Sequence, residues 1–119
     1  MRFDADCARD VLIAAEERLN EIDDRWLISR TETVDGLSAY PGNVARYHIN
    51  QCCKNGLLEC SRPFIDESFY VTSLTPKGHL ALDAIRKPTI LKAWSKAKEL
   101  GLLDSLPSLV SWLLGLTCS

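Results

Sequence analysis

The last fifteen residues, Ser105 to Ser119, carry no charge, and Leu106, Leu109, Val110, Trp112, Leu113, Leu114 and Leu116 fall on most sides of any helix they form. A helix that apolar cannot stay in water, so it must be covered by the rest of the chain or by another molecule. Pro107, Ser108, Ser111 and Gly115 interrupt it, and it falls short of the ~20 apolar residues that cross a bilayer. No membrane span is expected. Ser105 is placed to cap this helix, and its small residues permit close approach of whatever covers it.

A chain of 119 residues with 46% apolar and 25% charged side chains has the makings of one ordinary globular domain. Its net charge of −2 is unevenly laid out: ten acids face five bases between Met1 and Asp35, whereas six bases accompany only Asp83 between Thr75 and Lys98. The near-neutral total excludes both a wholesale polyanion coat and an acidic disordered chain. The start, Met1-Arg2-Phe3-Asp4, has no apolar core of a secretory leader, which points to a cytoplasmic protein. Cys7, Cys52, Cys53, Cys60 and Cys118 form an odd set without paired ligand spacing; free thiols and no bridges are expected.

Ala8, Val11, Leu12, Ala15, Leu19 and Ile22 repeat at helical spacing, with Asp4 or Asp6 available as cap. Trp26-Leu27-Ile28 reads as a short strand, and Ser29 to Gly42, with Gly36 and Tyr40-Pro41-Gly42, as a loop holding at most one helical turn. Asn43 offers a cap for a helix over Val44 to Lys54, stopped by Asn55-Gly56. Ala45, Ile49 and Cys52 would be its buried side, His48 its edge, and Arg46, Tyr47, Asn50, Gln51 and Lys54 its polar side. Leu57 to Cys60 and Ser68 to Thr72 flank Arg62-Pro63 as a hairpin, after which Thr75-Pro76 opens a helix that Lys87-Pro88 closes. Another helix follows, with Ile90, Ala93, Trp94, Ala97 and Leu100 on one stripe, ended by Gly101.

Helix, short strand, loop, helix with a Gly-Leu-Leu exit, hairpin, helix is the order of a winged-helix module, an α+β fold. The stretch around His48-Ile49, Cys52 and Gly56-Leu57-Leu58 resembles the recognition helix of ArsR-like and MarR-like repressors. Leu74-Thr75-Pro76-Lys77-Gly78-His79-Leu80-Ala81-Leu82-Asp83-Ala84-Ile85-Arg86 is similar to the Leu-Thr-x-x-Gly-His-x-Phe-Leu-Asp-x-Ile-Arg signature of a phage- and prophage-associated family of unknown function. The resemblance implies a winged helix-turn-helix with a short or degenerate second helix, a hairpin wing and extra C-terminal helices. Residues 1–86 would form the winged-helix domain and 87–119 a helical extension in one compact unit.

By itself, the polar side of the Val44–Lys54 helix is what every surface helix shows. With the resemblance it becomes a candidate DNA-reading face, because amides and guanidinium groups read base edges while cations hold phosphates. Arg46, Tyr47, Asn50, Gln51 and Lys54, with Arg62 near the wing tip, are the expected contacts to double-stranded DNA. Three cations against Glu59 between Gly36 and Arg62 is thin for a monomer; Lys77, Arg86, Lys87, Lys92 and Lys96 would extend the footprint or else pair with the acidic first helix. Winged-helix repressors often dimerise through terminal helices, which implies a homodimer seam of Leu106, Leu109, Val110, Trp112, Leu113 and Leu116.

Two other functions compete with a DNA-binding regulator. One is a protein-interaction module, recruiting a host or phage protein. The other is a thiol- or metal-responsive ArsR-like sensor using His48, Cys52, Cys53 and Cys60, although none of the paired spacing of a zinc site is present. His79 is expected to be a structural hydrogen-bonding residue. Gly-rich phosphate loops, His-Glu-x-x-His and a nucleophile elbow are absent from the sequence, so no enzyme, cofactor or resident metal is expected.

Overall fold

The computed structural model describes residues 3–21, 25–65 and 68–117, without the side chains of residues 20, 21, 116 and 117. Helix α1 spans Ala5–Glu21. Of the two expected caps Asp4 is used: its Oδ1 accepts from the amides of Asp6 at 2.9 Å and Cys7 at 3.5 Å, placing negative charge at the positive end of the helix. Ala8, Val11, Leu12 and Ala15 are buried, and Ile22 lies outside the described residues. Strand β1 (Trp26–Ile28) buries Trp26 and Ile28 and exposes Leu27, the alternation of a half-covered strand.

From Ser29 to Pro41 the chain forms turns and no helix. Buried Val34 and Leu37 anchor this loop, and Tyr40 Oη donates to Asp10 of α1 at 2.5 Å. Helix α2 runs Gly42–Lys54, starting earlier than expected. Asn43 is not its cap: Pro41 holds that position without a side-chain hydrogen bond, and the Gly42 amide donates instead to the Glu32 carbonyl at 2.6 Å. The loop comes so close here that a Cβ on Gly42 would collide with the Thr31 carbonyl oxygen. At the other end the expected stop is present. Gly56 has φ +78°, the Leu57 amide reaches back to the Cys52 carbonyl at 2.9 Å and that of Gly56 to Cys53 at 3.3 Å, a double closure that needs a left-handed residue.

Strands β2 (Leu58–Cys60) and β3 (Phe69–Leu74) form the hairpin. The antiparallel sheet has the order β1-β3-β2, with Trp26 opposite Val71 and Leu58 opposite Leu74, and the β2 register breaks between Glu59 and Cys60. Helix α3 (Pro76–Ile85) is capped by Thr75, whose Oγ1 accepts from the Gly78 amide at 3.0 Å. Gly78 is required for space, since a Cβ there would strike the Leu57 carbonyl. His79 is exposed, so the structural work expected of it belongs to Thr75 and Gly78.

Helix α4 (Pro88–Glu99) buries Ile90, Trp94 and Ala97, while Leu100 ends outside in solvent. Helix α5 (Leu106–Thr117) begins at Ser105, whose Oγ accepts from the Ser108 amide at 3.3 Å. It folds back on α3 and α1. Leu106, Leu109, Val110 and Leu113, four of the residues expected at a dimer seam, are 5% exposed or less within the chain itself. Trp112 is half-buried, edge-on to Trp94 at 6.2 Å, and the Leu116 side chain lies outside the described residues. Among the described residues the result is an α+β arrangement of five helices around a small antiparallel sheet. Among the described residues no helix is long and apolar enough to cross a membrane.

Candidate nucleic-acid interface

The polar face of α2 forms one wall of an open cleft of about 650 Å³, lined by Asn43, Arg46, Tyr47 and Asn50, by Arg30 of the loop and by Pro63 and Phe69 of the hairpin. Helix periodicity explains the grouping: Asn43, Tyr47, Asn50 and Lys54 are spaced four, three and four apart and so form one stripe opposite Ala45, Ile49 and Cys52. Asn50 and Lys54 are exposed; Arg46, Tyr47 and Gln51 are half-buried. Arg62, also exposed, sits beside Pro63 on the hairpin. Arg46, Tyr47 and Asn50 are thus brought together as expected, Lys54 extends their stripe, and Gln51 lies to one side. Arg30 and Asn43 join them beyond the expected set, Asn43 from within the helix and not from its cap.

Arg46 has a structural task as well. Its Nη1 donates to the carbonyls of Ser29 at 3.1 Å and Thr31 at 2.8 Å, fastening the loop to the helix. Charged donors to carbonyl oxygens are strong hydrogen bonds. A guanidinium carries further N–H groups, so this fastening leaves donors for the cleft.

His48 is fully buried and not at the edge. Its Nε2 accepts the Asp4 amide at 2.8 Å and its Nδ1 lies 2.8 Å from the Val44 carbonyl, so the ring proton sits on Nδ1. Phe3 and Tyr47 pack on the ring at 5.5 and 5.0 Å. The imidazole therefore ties the start of α1 to α2, with both nitrogens engaged.

The cysteines depart from expectation. Cys53 and Cys60 form a disulfide across 6.3 Å between Cα atoms, because the reversal at Gly56 carries β2 back alongside the last turn of α2 and Cys60 stands at the strand's far end. Cys7 and Cys52 remain free thiols in the core. Burial, with Asp4 and Asp10 adding to it at Cys7 and Cys7 at Cys52, pushes both up to about 12, so they stay protonated hydrophobes. Of the residues in the metal-sensor reading, Cys53 and Cys60 are joined in the bridge, His48 has both ring nitrogens engaged and Cys52 is a buried thiol; among the described residues no group of three or more His, Cys, Asp or Glu is arranged to hold a metal ion.

The charge gradient is partly consumed inside the fold. Lys98 pairs with Asp6 at 2.8 Å and Arg86 with Glu16 at 2.5 Å, while Trp94 Nε1 donates to Asp6 at 2.7 Å. Burial opposes ionisation of Asp6, but the hydrogen bonds from Lys98 and Trp94 outweigh it and hold the carboxyl below the usual range. Lys77 instead reaches the Asn55 carbonyl at 3.3 Å, which places a second cation at the C-terminal end of α2 near Lys54. Lys87, Lys92 and Lys96 are exposed.

No curated protein and no solved structure matches the chain. A family model described as Hypothetical protein (DUF2513) matches residues 2–103, ending just before α5. With that match spanning most of its length, the chain belongs to the DUF2513 family.

Proposed function

We propose that the chain is a winged-helix DNA-binding protein of the regulatory type found on prophages and other mobile elements. In this reading α2 enters the major groove and the β2–β3 hairpin is the wing. The observation that carries it is the shared cleft: the polar stripe of α2 and the hairpin wall face one concavity with arginine, asparagine and tyrosine side chains, chemistry suited to phosphate and base edges. The helix–strand–helix–hairpin order with sheet order β1-β3-β2 supports it. The loop fastened by Arg46 stands in for the missing second helix.

Fluorescence anisotropy of the full chain against random and native-operon duplexes, at two salt concentrations, tests the reading. Binding at low salt that weakens as salt rises is expected, since released counterions drive phosphate contact. Lys54→Ala should weaken all sequences alike, and Asn50→Ala should lose about 1–3 kcal/mol of preference for the native sequence. No binding at low salt overturns the proposal.

A protein-interaction module is the second reading, favoured by one feature. At the hairpin end Phe64 is half-exposed and Ile65 fully so, an apolar pair more suited to a protein groove than to a phosphate backbone. A host or phage protein captured by the wild type and lost with Ile65→Ser, with DNA binding absent, would favour it.

A further inference from the structure

We propose that the Cys53–Cys60 bridge is a reversible thiol–disulfide pair that sets how firmly the outer part of the hairpin is held to α2, and through it the grip of the α2 cleft on DNA. The second half rests on the DNA-binding reading above; the first does not.

The hairpin is held in two different ways along its length. Its inner end is pinned by polar contacts: the Thr75 amide donates to Leu57 O at 3.1 Å, and Thr75 Oγ1 to Gly56 O at 2.5 Å. Its β3 side is paired with β1 through Phe69, Tyr70 and Val71. Among the described residues the β2 side has no such neighbour beyond β3, because β2 is the edge strand. Its ladder breaks register between Glu59 and Cys60 and the strand ends there. From Ser61 to Phe64 the chain is held to its own hairpin partner, Ser61 N to Tyr70 O and Phe64 N to Ser68 O, both at 2.8 Å. The disulfide enters at this break, and it ties the end of β2, just before the segment that carries Arg62 and Pro63, covalently to the last turn of α2. Opening it removes that covalent tie and leaves the hydrogen bonds to Tyr70 and Ser68, and Pro63 lines the cleft.

The bridge is also placed for exchange. Cys53 and Cys60 are each partly exposed, whereas Cys7 and Cys52 are fully buried. Burial keeps those two protonated, so they do not compete as nucleophiles or scramble the pairing. A low-molecular-weight dithiol supplies the chemistry. One of its thiolates attacks a bridge sulfur, forming a mixed disulfide and expelling the other cysteine as a thiolate. The second thiol then displaces the first cysteine and closes the reagent's own disulfide. Two electrons and two protons pass from reagent to protein, leaving Cys53 and Cys60 as thiols; oxidised glutathione runs the exchange backwards.

The experiment uses the full chain carrying Cys118→Ser, so that only described cysteines are counted. Native alkylation with iodoacetamide and mass spectrometry should label neither bridge cysteine in the oxidised form, both after a dithiol, and neither again after oxidised glutathione, with Cys7 and Cys52 protected throughout. Hydrogen exchange should quicken in residues 58–65 on reduction and stay unchanged in α1. Anisotropy with random duplex DNA should show affinity falling roughly threefold to tenfold on reduction, the scale of one or two contact side chains losing a preset position. Cys53→Ser/Cys60→Ser should match the reduced form in both measurements and ignore the dithiol. A bridge that does not re-form, or exchange in residues 58–65 that is indifferent to reduction, overturns the switch. Faster exchange with equal DNA binding by both forms overturns its coupling to the cleft. Faster exchange with no DNA binding by either form leaves the switch standing and removes the DNA reading instead.

Discussion

Helices α2 and α5 are near equals in length, thirteen and twelve residues, and each sinks a stripe of side chains into the same core, yet they differ in the face left over. The outer side of α2 keeps Asn43, Asn50 and Lys54 in solvent, beside half-buried Arg46 and Tyr47. That of α5 shows Pro107, Ser108, Ser111 and Gly115, which offer neither charge nor amide. Depth of burial therefore does not separate a helix that lines a polar cleft from one that only supports. The chemistry of the exposed side does, and an apolar stripe says only that something covers it, not whose surface that is.

The strongest way to break this contrast is Leu109→Ala. Its side chain is fully buried, and a cavity there should cost about 2–5 kcal/mol in urea unfolding. If α5 served a subunit interface instead, the variant would change the oligomer and leave monomer stability intact. His48→Leu probes the buried side of α2. It orphans the Asp4 amide, an unpaired donor worth about 1–3 kcal/mol, and should speed amide exchange at the start of α1 without altering the exposed stripe.

Acid titration should show a smaller effect. Because Asp6 is held below its ordinary value of 3.8 in the folded chain, its contribution is present above that pH and lost as pH falls through the lower folded value. Unfolding midpoints measured from pH 6 downward, an interval of about three units spanning the carboxylate range, should fall less steeply for Asp6→Asn than for the wild type. Least of all, Asn50→Ala should shift stability by no more than about 0.5 kcal/mol, because Asn50 is exposed. A large loss would mean that the outer face of α2 is structural after all.

What could be read from residue order was whatever is decided locally. Asn55-Gly56 predicts the end of α2 because a left-handed glycine closes a helix by itself; Thr75-Pro76 predicts the start of α3 for the same kind of reason. The start of α2 is not legible in the sequence, since its capping acceptor is the Glu32 carbonyl, brought there by the path of a loop. His48 looked like an edge residue because its partner is an amide 44 positions away. The disulfide was missed because spacing cannot say which cysteines a chain reversal will set side by side. The charge gradient was plain, but its use was not: Lys98 and Arg86 meet acids of α1 only once α4 and α3 have docked. Arg30 enters the cleft through the path of that loop, while Arg46, Tyr47 and Asn50 follow from helical periodicity, and so does Asn43 once the helix starts at Gly42.

The hydrogen bond from Trp94 to Asp6 joins residues 88 positions apart, and this sets a timetable for synthesis. Translation delivers α1 well before α4 and α5, although α1 packs against α3, α5 and β3. Until those later elements leave the ribosome, the stripe of Val11, Leu12 and Ala15 has only part of its cover. Contacts of such long reach form slowly, and the species awaiting them is sticky. A nascent chain stalled before residue 94 should therefore be held by chaperones, and folding should finish in a late closure as the C-terminal helices arrive.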